Sequence, residues 1–125
     1  MAATDDRVAV VTGASQGIGR AAALKFAQEG WTVYGLFRGT HGFAESRSQL
    51  RQEGVRALKV DVTDERDVEL AVDHVLHASG RVDALINAAG FGAHGPWESF
   101  TAADLRRQLE TNLIGVFTMC RAVAP

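Results

Sequence analysis

The 125-residue sequence contains one cysteine and one tyrosine, and it has no long apolar run. Cys120 cannot form an internal disulfide, which favours a reducing cytoplasmic setting, and we expect it to be a small core residue. No stretch approaches the roughly 18 uninterrupted apolar residues of a membrane span. The polar and acidic residues that follow Met1 do not form the apolar core of a signal peptide. Acidic and basic residues are interspersed at a formal net charge of −2, so nothing favours a nucleic-acid or membrane partner.

Short β-branched runs alternate with helical patterns, which indicates parallel strands joined by crossover helices. Right-handed crossovers predict a sheet order of 3-2-1-4 with helices on both faces, so the fold class is an α/β doubly wound parallel sheet. With 46% hydrophobic residues, residues 1–125 are expected to form a single domain. The predicted strands are Val8 to Val11, Thr32 to Phe37, Val55 to Val60 and Val82 to Ile86.

Glycines and capping residues mark the predicted helix ends. The first helix is predicted from about Gly17 to Glu29, with Gly30 in a left-handed conformation after it. Thr63 is expected to cap the third helix, and Gly80 ends it.

The last predicted helix begins at a capping box formed by Thr101 and Asp104. This helix has an apolar face, and the predicted fourth strand forms one edge of the sheet. Exposed apolar surface and an open strand edge both favour pairing with another chain, so we expect self-association. The apolar face consists of Leu105, Leu109, Leu113 and Phe117.

Between the first strand and the first helix, residues 12–19 read T-G-A-S-Q-G-I-G. The unpaired N–H groups and the positive dipole end at a helix start attract a pyrophosphate. Gly13 fits a tight turn, Gly17 leaves room for phosphates to approach the backbone, and Gly19 allows close packing of helix and strand. This context predicts that the chain binds NAD or NADP, and an ordinary strand-to-helix turn is the alternative.

Three further motifs follow the glycine loop along the chain. They are Asp61-Val62, Asn87-Ala88-Ala89-Gly90 and Thr111-Asn112-Leu113-x-Gly115. Because these motifs and the glycine loop occur in family order, the chain resembles the N-terminal half of the short-chain dehydrogenase/reductase family. The resemblance implies a Rossmann-type fold and an oxidoreductase that moves a hydride between a nicotinamide cofactor and a carbonyl or alcohol.

The family's catalytic Ser and Tyr-x-x-x-Lys have no counterpart here, because the only tyrosine, Tyr34, lies in the predicted second strand. We therefore expect a fold truncated to about four strands and no turnover by this chain alone. The alternatives are a non-catalytic module that binds nucleotide or pairs with another chain, and a truncated remnant. Asn112 matches the position that supports a proton-relay water in relatives, and a helix bend around a water is its structural alternative.

The end of the second predicted strand bears on cofactor preference. An acid there binds the 2′-hydroxyl of NAD, whereas an arginine accommodates the 2′-phosphate of NADP. Phe37 occupies the position of the acid and Arg38 follows it, which favours NADP(H) over NAD(H). Gln16 weakens this preference, because many NADP-using relatives carry a second basic residue there.

The resemblance also implies contacts with the rest of the cofactor. Ser15, Gln16 and Ile18 would contact the phosphates and the adenosine ribose, and Val62 would pack against the adenine ring. Asp61 would accept a hydrogen bond from the adenine amino group, or would instead close a turn with Thr63.

The Asn-Ala-Ala-Gly segment would pass its backbone close to the cofactor ribose. In the segment from Asn87 through Ala89 to Gly90, Ala88 replaces the family's second Asn, so the contact of that Asn side chain is absent. Gly90 still permits close approach of the backbone. His74 and His77 lie three residues apart on a predicted helix with no third ligand in sight, so we predict no metal site.

Overall fold

The computed structural model describes residues 6–39, 42–92 and 95–124. Within these ranges the strands are β1 (Val8–Thr12), β2 (Thr32–Phe37), β3 (Val55–Lys59) and β4 (Ala84–Asn87). The α-helices are α1 (Gly17–Gln28), α2 (Phe43–Gln52), α3 (Glu65–Ser79), α4 (Ala102–Leu109) and α5 (Gly115–Val123). A 3₁₀ turn forms at Trp97–Ser99, and a π-helical segment at Glu110–Ile114 joins α4 to α5.

The strands are parallel and lie in the order β3-β2-β1-β4, which confirms the predicted topology. All five residues of β1 are buried, as expected for a central strand covered on both faces. Thr12 pairs with Leu36 of β2 and with Asn87 of β4, so these three strands end side by side. Loops that follow parallel strands consequently gather at one edge of the sheet.

Hydrophobic residues pack on both faces of the sheet. On one face Val10 and Leu36 lie in a cluster with residues of α3 and with Met119 of α5. On the other face Val11 and Val33 lie in a cluster with residues of α1 and α2. The alternation follows from the period of two along a strand, which sends successive side chains to opposite faces.

The predicted glycine caps are confirmed, and one predicted N-cap is wrong. Gly30 and Gly80 have φ values of 90° and 76°, in the left-handed region that terminates helices. Thr63 does not cap α3, because the Asp64 carboxylate accepts the hydrogen bond from the Asp67 backbone N–H. The Thr63 hydroxyl instead donates to Asp61.

Strand β4 begins two residues later than predicted and includes Asn87. Before it, the Asp83 backbone N–H donates to the Val8 carbonyl, and the Asp83 carboxylate accepts from the Val8 backbone N–H. The Asp83 carboxylate thus accepts the last hydrogen bond at this end of the sheet, and Val82 lies outside the ladder. The hydrogen bonds from Arg81 and from the Val8 backbone N–H lower the pKa of Asp83 below its ordinary value.

The last helical region buries a different face from its leucine-rich one. Thr111, Gly115 and Met119 are the buried residues of the π-helical segment and α5, at four-residue spacing. Cys120, expected in the core, is exposed because its neighbour Met119 occupies the face towards the sheet. The opposite face, here called the leucine stripe, is exposed and consists of Leu105, Leu109, Leu113 and Phe117.

Among the described residues, β4 pairs only with β1, so its other edge is open. None of the helices in these ranges combines the length and the apolar character that a membrane crossing requires.

We expect the purified chain to self-associate through the leucine stripe, because contiguous exposed apolar surface favours association. Sedimentation velocity should show dimers or larger species at tens of micromolar. The Leu105→Glu substitution should shift the distribution towards monomer by placing a charge in the stripe. The matched control is Leu70→Glu on α3. It makes the same change at a similarly exposed leucine, since Leu105 is 57% exposed and Leu70 is 52% exposed. A monomeric wild type, or equal effects of the two substitutions, would contradict this expectation.

Candidate functional site

The loops that follow the strands form the walls of an open cleft at the carboxyl edge of the sheet. Its main cavity has a volume of ≈ 350 Å³, and a recess of ≈ 250 Å³ adjoins it at the start of α1. In open parallel sheets this edge is where ligands bind. The main cavity is lined by Gly13, Ser15, Gln16, Leu36, Phe37, Arg38, Gly39, Ser46, Val60, Val62, Ala89, Gly90, Phe91 and Thr111. The recess is lined by Gly13, Ser15, Gln16, Gly17, Ile18, Gly19, Ala88, Ala89 and Gly90.

Two glycines of the loop are required by the geometry around them. Gly13 has φ 64°, and a Cβ added there would lie 2.6 Å from the Ala88 carbonyl oxygen. A Cβ added at Gly19 would overlap the backbone of Gly13. These contacts let the glycine loop lie directly against the segment after β4 and let α1 begin against its own loop. Nothing lies within 4 Å of a Cβ placed on Gly17, so this part of the loop borders open space.

The start of α1 has the features of an anion site. Gln16 occupies the N-cap position with extended backbone angles, and its side chain makes no capping hydrogen bond. The first N–H groups of a helix have no acceptor within the helix and carry its positive dipole end. Gly17 and Gly19 line the recess, and the Ile18 side chain is 83% exposed. This arrangement can hold a phosphate through backbone N–H groups.

Thr12 joins the two loops that form the cleft. Its hydroxyl oxygen accepts hydrogen bonds from the backbone N–H groups of Ala88 and Ala89, each at 3.1 Å. Thr12 is 1% exposed, so these bonds are shielded from water. In the sequence, Thr12 is recognisable only as the first letter of the glycine motif. The available signal was its position at the end of a central buried strand, because a buried hydroxyl there is expected to form hydrogen bonds with neighbouring backbone groups.

Asn112 fixes the far wall of the cleft. Its side-chain Oδ1 accepts from the Phe91 backbone N–H at 3.0 Å, and its Nδ2 donates to the Phe91 carbonyl at 2.7 Å. The partner of Asn112 is thus the Phe91 backbone, which the sequence did not identify. Gly90 allows this contact, because an added Cβ would lie 2.9 Å from Asn112 Oδ1. Asn112 lies in the π-helical segment, where the regular helical hydrogen-bond pattern is interrupted.

The other motif residues position the walls of the cleft. The Asn87 side chain donates from Nδ2 to the Cys120 sulfur at 3.6 Å, which links the end of β4 to α5. Val62 is 5% exposed, and Gly115 lies so close to it that an added Cβ would be 2.7 Å from Val62 Cγ2. This contact explains a glycine within a helix, since close packing outweighs its low helix propensity.

Arg38 lines the main cavity, and Asp61 borders a neighbouring recess that Arg38 also lines. The Arg38 Nε is 4.0 Å from Asp61 Oδ2, and both side chains are partly exposed. Asp61 Oδ1 accepts from the Thr63 backbone N–H at 2.9 Å and from its hydroxyl at 2.7 Å, so the turn considered for this residue forms. Burial raises the pKa of Asp61, but the bonds from Thr63 and the charge of Arg38 outweigh it and lower the pKa below its ordinary value.

Within the described ranges, no three metal-ligating side chains cluster. His74 instead lies edge-on to the Tyr34 ring, with 6.3 Å between the ring centroids. The Tyr34 hydroxyl is hydrogen-bonded to Ser79 and accepts from Arg56 within the packed sheet, at 2.6 and 2.9 Å. This tyrosine therefore has a structural setting away from the cleft.

Comparison with known proteins finds a family described as short chain dehydrogenase, matched over residues 7–125. A 3-ketodihydrosphingosine reductase of Bacteroides thetaiotaomicron is 38% identical over 120 residues, covering 95% of this chain and 41% of that protein. The chain therefore spans less than half the length of this relative.

Two solved structures are similar to the chain in both fold and sequence. An NAD⁺-bound xylitol dehydrogenase superimposes with a TM-score of 0.86 at 34% identity, covering 97% of this chain and 48% of that one. A variant of actinorhodin polyketide ketoreductase with NADPH gives 0.87 at 34% identity, covering 98% and 48%.

We predict that Thr12→Val lowers the free energy of unfolding by about 1–3 kcal/mol, because it leaves shielded backbone N–H groups of Ala88 and Ala89 without an acceptor. Urea denaturation measures the effect. Thr12→Ser keeps the hydroxyl and is the matched control, so it should lose less stability than Thr12→Val. Equal stability of Thr12→Val and the wild type would show that the two hydrogen bonds are not structurally important.

Proposed function

Because the chain belongs to the short chain dehydrogenase family, we propose that it forms the adenosine diphosphate side of an NADP(H) site. The site serves an oxidoreductase that moves a hydride between the cofactor and a carbonyl or alcohol. The observation that carries the proposal is the cleft at the carboxyl edge of the sheet, with the uncapped start of α1 as one wall.

The phosphates bind at the recess formed by the glycine loop. Backbone N–H groups of Gly17 and Gly19 supply donors, and the dipole of a 12-residue helix adds a favourable potential. Ser15 and Gln16 border the same space and add polar side chains. The exposed Ile18 side chain borders the same recess, where a bound cofactor would cover it.

The adenosine occupies the main cavity. Val62 forms an apolar wall for the adenine ring. Asp61 borders the recess next to this cavity, where its Oδ2 accepts from the adenine amino group. The backbone of Ala89 and Gly90 borders the ribose. Thr12 and Asn112 hold this segment in place from opposite sides, through Ala88 and Phe91 respectively.

Arg38 supports NADP over NAD. Phe37, the last residue of β2, stands where an acid would accept from a ribose 2′-hydroxyl, so this carboxylate is absent. The Arg38 guanidinium borders the cavity and its side chain is 54% exposed, which leaves it accessible to a phosphate. A guanidinium matches a phosphate in both charge and geometry.

When bound, the cofactor supplies or accepts the hydride. The proton that accompanies it needs an acid or base, and the 125 residues contain no Tyr-x-x-x-Lys. Asn112 occupies the position that corresponds to the family's proton-relay support. In this chain its side chain holds the Phe91 backbone and thereby orients the loop at the mouth of the cleft.

A second candidate function is a module that pairs with another chain. The open edge of β4 and the exposed leucine stripe favour it. This function and nucleotide binding use different surfaces, so one protein can perform both.

We predict that Arg38→Asp weakens NADP binding roughly ten- to a hundredfold, because a charge-assisted hydrogen bond contributes about 1.5–3 kcal/mol. NAD binding should change little or improve. Calorimetric titration of both cofactors measures the two affinities. Arg51→Asp makes the same charge change on α2, outside the cleft, and should leave the NADP to NAD ratio unaltered. Equal affinities for the two cofactors in wild type and Arg38→Asp would contradict the proposed preference.

A further inference from the structure

Backbone geometry places Arg38 and Asp61 side by side at the ends of neighbouring strands. Phe37 pairs with Lys59 in the parallel ladder, and the Val60 backbone N–H donates to the Phe37 carbonyl at 3.0 Å just beyond it. The residues that follow therefore leave the sheet next to each other. Their separation is thus a property of the strand register and does not depend on a chance side-chain contact.

Asp61 is held more firmly than Arg38. Its Oδ1 accepts both the backbone N–H and the hydroxyl of Thr63, and its own backbone N–H donates to Asp67 Oδ2 at 2.9 Å. Oδ2 is then the oxygen that faces the Arg38 guanidinium, 4.0 Å from its Nε. A fixed negative charge therefore stands beside the one cation that borders the main cavity among the described residues.

We propose that Asp61 sets how strongly the cleft discriminates between a 2′-phosphate and a 2′-hydroxyl, by acting as a counter-charge to Arg38. This inference rests on the proposed function, because it concerns the same adenosine site. The carboxylate offsets part of the guanidinium charge and repels a phosphate that binds beside it. A 2′-hydroxyl is neutral and experiences neither effect. Asp61 therefore lowers the ratio of NADP affinity to NAD affinity, and NAD can still bind.

A contact between Asp61 and adenine does not obscure this effect. Adenine is common to both cofactors, so a gain or loss at its amino group cancels when the two affinities are divided. Arg106, Arg107 and Glu110 border a neighbouring recess with Arg38 and Asp61, and their charges stay constant across the variants. The ratio of affinities therefore isolates the interaction at the 2′ position.

The test uses 2′,5′-ADP and 5′-AMP, which differ only in the 2′-phosphate. Calorimetry gives the ratio of their dissociation constants for the wild-type chain and for Asp61→Asn, whose amide oxygen still accepts from Thr63. We expect the preference for 2′,5′-ADP to rise about two- to fivefold, the range of a partly exposed ion pair. The gain should shrink at high salt, which screens exposed charges. Asp61→Ser, also neutral and able to close the same turn, is the second variant should Asp61→Asn fold poorly.

Arg38→Met provides the matched background. In that background Asp61→Asn should change the ratio less, because the cation that Asp61 offsets is gone. An unchanged or reduced preference in Asp61→Asn would overturn the proposal, and so would an equal gain with and without Arg38. Failure of the wild type to bind either nucleotide would instead contradict the proposed function, so the two failures are distinguishable.

Discussion

The site depends on one constraint, the side-by-side ending of β1, β2 and β4 at the carboxyl edge of the sheet. Thr12 pairs with Leu36 and Asn87 in the ladder, and its hydroxyl binds the two backbone N–H groups that follow Asn87. The glycine loop and the segment after β4 are therefore held against each other by the sheet itself. Gly13 is needed because no side chain fits in this contact. The phosphate recess and the adenosine cavity both follow from this arrangement.

Much of the fold was predictable because it depends on local rules. The strand β2, the capping box at Thr101 and the left-handed Gly80 follow from propensity and capping chemistry within a few residues. The strand order followed from the handedness of crossovers. Two of the errors occurred where the hydrogen bond of one side chain decides where an element begins. Asp64 caps α3 in place of Thr63, and Asp83 ends the ladder with its carboxylate, so β4 starts late.

The candidate site was less predictable because its contacts join residues that are distant in sequence. The motifs identified Asn112 as a candidate site residue, but the partner of its side chain, Phe91, lies 21 positions away. Asp61 was left with two alternatives, and the turn with Thr63 forms while one carboxylate oxygen faces Arg38. The preference for NADP and the adenine contact remain predictions, because they depend on how a ligand uses this charge pair.

The central claim is that the glycine loop and the carboxyl-edge cleft form one dinucleotide site, and amide chemical-shift mapping tests it most directly. In a ¹⁵N-labelled chain titrated with NADP, the largest shifts should occur at Gly17, Ile18 and Gly19, with further shifts at Arg38 and Gly90. These residues line the recess and the cavity, so their shifts should saturate with one common dissociation constant. Shifts confined to the outer faces of α2 or α3, or no shifts at the start of α1, would contradict the claim.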